Sequence, residues 1–199
     1  VATADGRFYT PCISAHAIRM TATITSLTLD AFLAAAEGRA YRMALVATRR
    51  SADALDIVQD AMLQLVQHYR ARPHSEWPLL FQRILQRRIT DWHRQQTQQR
   101  RWFWQAPIAD DEMDDDPIAQ IEDSRDGNPV ALLERAGDIE TVLEVLAQLP
   151  LRQQQAFMLR VWEGLDVADT ASAMQCGEGS VKTHLFRALH TLRAALLAE

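Results

Sequence analysis

The stretch DVADTASAMQCGEGSVKTHLFRALHTLR, residues 166–193, decides how the chain is read. Asp166 stands where it can cap a helix beginning at Val167, with Asp169 three residues on in capping-box position. Ala168, Ala171 and Ala173 are small, so a second helix can cross the first closely. Cys176-Gly177-Glu178-Gly179 interrupts the pattern, and Ser180 is positioned to cap the next helix. Val181, Leu185, Leu189, Leu192 and Leu196 then recur at helical spacing as one apolar stripe. The other faces carry Lys182, Thr183, His184, Phe186, Arg187, His190 and Arg193. A short helix, a Gly-containing turn and a second helix with a polar-basic face form the helix-turn-helix pattern. The second helix would enter a major groove, where Lys and Arg reach phosphates or guanine edges and Ser or Thr bonds to either. An ordinary helical hairpin with a solvated face has the same pattern. Phe186 fits either a core position or a contact, and His184 and His190, six apart, are badly spaced for a metal pair.

Outward from this stretch, the rest of the chain is helical as well. Leu55, Val58, Met62, Leu65, Val66 and Tyr69 recur at three and four, as do Phe81, Ile84, Leu85, Ile89 and Trp92. No run of alternating β-branched residues competes, so the expected class is all-α. One helical block runs from about Leu27 to Phe103 and another from about Val130 to Glu199. Pro107, Pro117, Gly127, Asn128 and Pro129 separate them. The predicted division is an N-terminal extension over 1–25, a domain over 26–104, a flexible acidic linker over 105–129 and a second domain over 130–199. Met20 is the first methionine, and the residues before it are expected to be non-native. No secretory pattern is visible there.

Charge is distributed unevenly. The chain has 199 residues and a net charge of −5, which at face value argues against nucleic acid. Residues 105–126 hold nine acids and one base, Arg125, hence −8, and leave the remainder at +3. Residues 77–104 carry six Arg and one Asp, net +5. Two cysteines, Cys12 and Cys176, give neither a disulfide framework nor a metal cluster, and a reducing cytoplasm is the expected compartment. No stretch is long and apolar enough for membrane insertion.

Two helices of the first block differ in their outer faces. Around Ser51–Arg70, Asp56, Asp60, Leu63 and Gln67 form a stripe with Ile57 and Gln64 beside it, a mixture suited to a partner helix as well as to water. Around Leu79–Gln98, Arg83, Arg87 and Arg94 align, flanked by Arg88, Thr90, Asp91 and Gln95. Arg100, Arg101, Trp102, Phe103 and Trp104 follow. Arginines interleaved with aromatics suit single-stranded or melted DNA, the guanidinium groups holding the backbone and the rings stacking on bases. Trp77 is a further stacking candidate. Trp92 is in register with Leu85 and fits the core, and Trp102, Phe103 and Trp104 could equally anchor the linker. His68, His74 and His93 are scattered, and no nucleophile–base–acid set, phosphate loop or metal-ligand spacing points to an enzyme or a cofactor.

At this point the residues resemble a known family. ADALDIVQDAMLQLVQHY (52–69) resembles the second helix of region 2 in sigma factors, and WPLLFQRILQRRITDWHRQQTQQRR (77–101) resembles the promoter-melting, minus-ten-reading segment. LAQLPLRQQQAFMLRVWEGLDVADTASAMQCGEGSVKTHLFRALHTLR (146–193) resembles region 4, which reads the minus-thirty-five element. Two such domains with only a linker between them look like the extracytoplasmic-function (ECF) class, over about Leu29–Arg101 and Ile139–Leu197. The resemblance implies a non-enzymatic factor that binds core RNA polymerase and directs it to promoter DNA. A stand-alone helix-turn-helix regulator is the alternative.

The resemblance also implies roles by position. Asp56, Gln59 and Asp60 correspond to contacts with the coiled coil of the largest polymerase subunit, and their neighbours Ile57 and Leu63 are expected to join that core-binding face. Arg87, Arg88, Asp91 and Trp92 lie in the minus-ten segment, with Arg83 and Arg94 on the same helix. Lys182, Thr183, His184, Phe186 and Arg187 lie on the minus-thirty-five helix, with Ser180 at its start. Residues 150–164 should touch the polymerase flap. The acidic linker would follow the positively charged RNA-exit path, as a mimic of nucleic acid. Arg87-Arg88 stand where many relatives have an Asn nearby, a departure at the base-reading position. A separate anti-sigma factor is expected as a partner.

Overall fold

The structure is a computed structural model and describes residues 28–104 and 139–196. The extension before Thr28, with Met20, and the acidic linker lie outside the described residues, as does the start of the second block before Ile139. Among the described residues all regular structure is helical.

Helix α1 spans Leu29–Thr48. Its N-terminus is capped by Thr28, whose Oγ1 accepts from the Ala31 amide at 3.3 Å, and Asp30 places a negative charge in the first turn. It ends at Arg49, which adopts a left-handed conformation (φ 55°) and returns its N–H to Leu45 O. Thr48 is buried at this corner. Its hydroxyl donates to Ala44 O at 2.8 Å and accepts from the Arg50 amide. α2 (Ser51–Tyr69) starts at once and folds back on α1. Ala36, Ala40 and Ala44 on α1 and Ala54 and Ala61 on α2 are all buried. Their lack of bulk lets the two backbones approach closely.

α3 (Trp77–Trp104) lies across this pair, burying Phe81, Ile84, Leu85 and Ile89 against Val58 and Leu65. Phe32 meets Phe81 edge-on at 6.0 Å. Trp77 is buried, and its indole N–H donates to Tyr69 O at 3.2 Å, tying the start of α3 to the end of α2. The stacking role considered for Trp77 is therefore withdrawn: its ring is part of the core.

The second block begins with α4 (Ile139–Leu146), which buries Val142 and Leu146. Pro150 opens α5 (Leu151–Phe157), where a missing N–H costs nothing. α5 runs directly into one wide turn of π-helix, Met158–Trp162. Gly164, at φ 71°, then reverses the chain. α6 (Val167–Met174) and α7 (Glu178–Leu196) complete the block.

The two blocks share one apolar core. Val142, Leu146, Leu149, Phe157, Met158, Ala188 and Leu192 are continuous with the α1–α3 core. A smaller cluster of Ala156, Leu159, Ala171, Ala173, Met174 and Val181 centres the α5–α7 unit.

Candidate polymerase and nucleic-acid interfaces

On α2 the buried positions are Ala54, Ile57, Val58, Ala61 and Leu65, spaced three and four apart. The opposite face presents Asp56, Gln59 and Asp60 to solvent. Leu55 (46% exposed) and Leu63 (53%) stand out beside them. Exposed leucines flanking carboxylates make an apolar patch with a charged rim, the composition of a docking face. Two expectations change here. Ile57, expected on this face, is only 6% exposed and belongs to the core, while Leu55, counted in the inward stripe, faces out. Asp60 also reaches Arg88 of α3 at 3.7 Å, joining the docking face to the neighbouring basic helix.

Along α3, Arg83, Arg87 and Arg94 are exposed, and Arg88 and Asp91 are half-buried. Arg87 lies 3.9 Å from Asp91, one turn on, a loose pairing that leaves the guanidinium able to swing to a phosphate. Trp92 is half-buried against the core, and its ring meets His93 edge-on at 5.1 Å. His93 is held to Ala47 O at 3.0 Å. Core packing, the reading its register suggested, accounts for much of Trp92. α3 continues as helix through Trp104, but the side chains of Arg100, Arg101, Trp102, Phe103 and Trp104 lie outside the described residues.

One flank of α3 borders the second block. Gln86, Arg87, Thr90, Asp91 and Arg94 line a polar cavity of about 300 Å³ whose other wall comes from α5, α6 and Gln175. Gln155 of α5 donates to Thr90 Oγ1 at 3.2 Å and to Gln86 O at 3.4 Å. Arg152 donates to Met174 O at 2.9 Å.

α6 and α7 have the expected helix-turn-helix form. Asp166 accepts from the Asp169 amide at 2.7 Å, the cap read from the sequence. Thr170 is fully buried and donates to Asp166 O. The turn is tighter than expected. Gln175 takes the left-handed conformation (φ 55°) that ends α6, and α7 starts at Glu178 rather than after Ser180. Gly179 and Ser180 are therefore within the helix, and the capping role expected of Ser180 is not found.

Val181, Leu185, Ala188 and Leu192 form the inward stripe of α7. Phe186, one residue past Leu185 and so about 100° round the helix, is 42% exposed, with His190 6.4 Å away. Lys182 is also exposed, and Thr183, His184 and Arg187 are half-buried. Burial pushes the Cys176 thiol above its usual value, with Arg152 opposing, which disfavours the reactive thiolate.

Beyond the expected residues, Arg39 of α1 meets Glu163 at 3.1 Å, with the Glu163 side chain only 12% exposed. Burial pushes the Glu163 carboxyl up, and Arg39 and the Gln82 amide oppose that shift. Arg42 lies 5.9 Å from the centre of the Trp162 ring. These partners are more than a hundred residues apart in sequence, and no local pattern pairs them.

Comparison with known proteins agrees with this geometry. The family "Sigma-70, region 4" matches residues 139–192, which span α4 to α7. The chain is 28% identical to the RNA polymerase sigma-E factor of Streptomyces coelicolor over 74% of this chain and 73% of that one. It is 28% identical to the RNA polymerase sigma factor SigV of Bacillus subtilis over 80% of this chain and 85% of that one. Among solved structures it is similar in fold, at 18% identity, to the sigma factor RpoE of Bartonella quintana, crystallised with the anti-sigma factor NepR. That match covers 85% of this chain and 97% of the other, with a TM-score of 0.58. The chain is thus similar over most of its length to RNA polymerase sigma factors, and its residues 139–192 match their region 4.

Proposed function

We propose that the chain binds core RNA polymerase through α2 and reads two promoter elements, minus ten with α3 and minus thirty-five with α7. The observation that carries the reading is the capped α6–α7 unit, inside the residues matched by the region 4 family, with Lys182 and Phe186 on its open face. In this mechanism Leu55 and Leu63 bury apolar surface against the coiled coil of the largest subunit, while Asp56, Gln59 and Asp60 fix register at the rim. α7 lies in the major groove. Lys182 takes phosphate there, Thr183, His184 and Arg187 meet base edges, and Phe186 packs on sugar or on a thymine methyl. Residues 150–164 meet the flap. Arg83, Arg87, Arg88 and Arg94 hold the backbone of the melted strand, and Asp91 and the exposed edge of Trp92 meet its bases. Bond-making stays with the polymerase; the factor contributes binding energy, position and strand separation. A cytoplasmic location and control by a separate anti-sigma factor belong to the same proposal.

The division of labour has a direct test. Asp56→Ala should weaken core binding first, and Arg187→Ala should leave core binding normal while weakening promoters that need minus-thirty-five contact. Loss of both variants at the same step would overturn the assignment. A stand-alone regulator has no use for the two exposed leucines of α2.

A further inference from the structure

We propose that the polar cavity bordered by α3, α5 and α6 is a binding site for a small phosphorylated ligand, a phosphate monoester on a hydroxylated carrier of the sugar-phosphate class. The roles given above to α2, α3 and α7 do not require such a ligand, and the proposal stands without them.

The cavity is charged, and part of its wall is held in place. Arg87, Arg94 and Arg152 line it with a single acid, Asp91, three positive charges against one negative, net +2. A concave site with low-dielectric walls concentrates such a field more than an open basic helix does. Gln155 organises the wall. It is buried, its amide nitrogen donates to Thr90 Oγ1 and Gln86 O, and its Oε1 accepts from Arg152 at 3.3 Å. Thr90 Oγ1 donates in turn to Gln86 O at 2.9 Å. Arg152 makes a further bond, to Met174 O at 2.9 Å. Both Arg152 bonds leave from Nη1, so the guanidinium is anchored at one corner and Nη2 is the corner that can take an anion. Arg87, exposed and 3.9 Å from Asp91, is held loosely enough to turn toward the same anion.

The lining also selects the ligand. Guanidinium groups take phosphate through paired N–H donors. The volume, about 300 Å³, is at the small end of small-molecule sites and favours a small carrier. Among the described residues no aromatic side chain lines the cavity, so a nucleobase would have no ring to stack on. The apolar part of the wall is Ala173 and Met174, both nearly fully buried. What remains is polar. The Asp91 carboxylate accepts hydroxyl protons, and the Gln175 amide at the rim both donates and accepts. Arginines for a phosphate, with a carboxylate and an amide for hydroxyls, fit a sugar phosphate better than a nucleotide or bare phosphate. Arg87 and Arg94 are also given above to the melted strand, so ligand and strand would draw on the same guanidinium groups.

Isothermal titration of the purified full chain, without polymerase or DNA, tests the site. The probes are the terminal phosphate esters of glycerol, ribose and glucose, with inorganic phosphate, free glucose and adenosine monophosphate as comparators. At least one ester should bind with one site per chain, about tenfold or more tighter than inorganic phosphate or adenosine monophosphate. Free glucose should give no saturable heat. Arg152→Gln should weaken the ester about tenfold or more, the loss of a charge-assisted bond. Because Arg152 also holds Met174 O, a second variant separates charge from folding. Gln175 is exposed, and Gln175→Glu keeps a similar side chain while setting a carboxylate at the rim. It should weaken the ester to a similar degree with the urea midpoint unchanged. No saturable binding of any ester up to ~10 mM would overturn the proposal. So would full affinity in both variants. Inorganic phosphate or adenosine monophosphate binding as tightly as the best ester would overturn the assignment to a sugar phosphate.

Discussion

Leu55 and Leu63 test the docking face of α2 most sharply, because Ile57 on the same helix supplies the contrast. Full burial of a leucine side chain is worth about 1.5–3 kcal/mol. Leu55 and Leu63 are roughly half exposed, 46% and 53%, so docking can bury only the remaining half of each. That gives about 1 kcal/mol per residue and about 2 kcal/mol for the pair. Leu55→Ala with Leu63→Ala should therefore weaken core binding about 30-fold. The stability of the chain should change by no more than about 0.5 kcal/mol, as for other exposed positions. Ile57→Ala should do the opposite. It opens a cavity in a packed core, costing about 2–5 kcal/mol of folding stability, and touches no partner. Urea unfolding and fluorescence titration of labelled chain with core polymerase would measure both effects. The assignment fails if the double leucine variant binds core like wild type. It also fails if Ile57→Ala loses core binding with its unfolding midpoint unchanged.

Other perturbations have defined outcomes. Asp166→Ala removes the cap of α6 and should lower stability by about 1 kcal/mol, read as a lower urea midpoint; an unchanged midpoint would mean the 2.7 Å cap contributes nothing. Arg187→Ala should cost about 1–3 kcal/mol of binding at minus-thirty-five-dependent promoters, measured by promoter titration, with core affinity intact. Glu163 has a folded-state pKa above its ordinary 4.5, so the folded chain binds its proton more tightly than the unfolded chain does. Its contribution is fully present below pH 4.5 and is lost as pH rises through the raised value. Glu163→Gln should flatten stability across that window, and an identical pH profile would exclude Glu163 as its source.

Helical period and punctuation were enough to find the elements. Asp166 announced α6, and the Val181–Leu192 stripe announced α7 together with its inward face. Single positions were harder, because one residue of rotation separates inside from outside. Phe186 fitted core or surface on composition and lies outward because Leu185 takes the inward position. Ile57 and Leu55 changed places for the same reason: the alanines at 54 and 61 set which side of α2 meets α1. Trp77 fitted a stacking role only until the Tyr69 carbonyl came within reach of its indole. Ser180 lost its capping role because Gln175, without glycine's freedom, still took the left-handed turn and let α7 begin at Glu178. The closure of the two blocks had no local signature, since Arg39–Glu163 and Gln155–Thr90 join residues far apart in the chain.

Directing polymerase to promoters is a property that can be assayed in a purified system. Run-off transcription with purified core polymerase, a cognate promoter fragment and the purified chain tests it most directly. The expected result is a discrete transcript that requires both the chain and its promoter. No promoter-specific product, together with no binding of the chain to core, would contradict it.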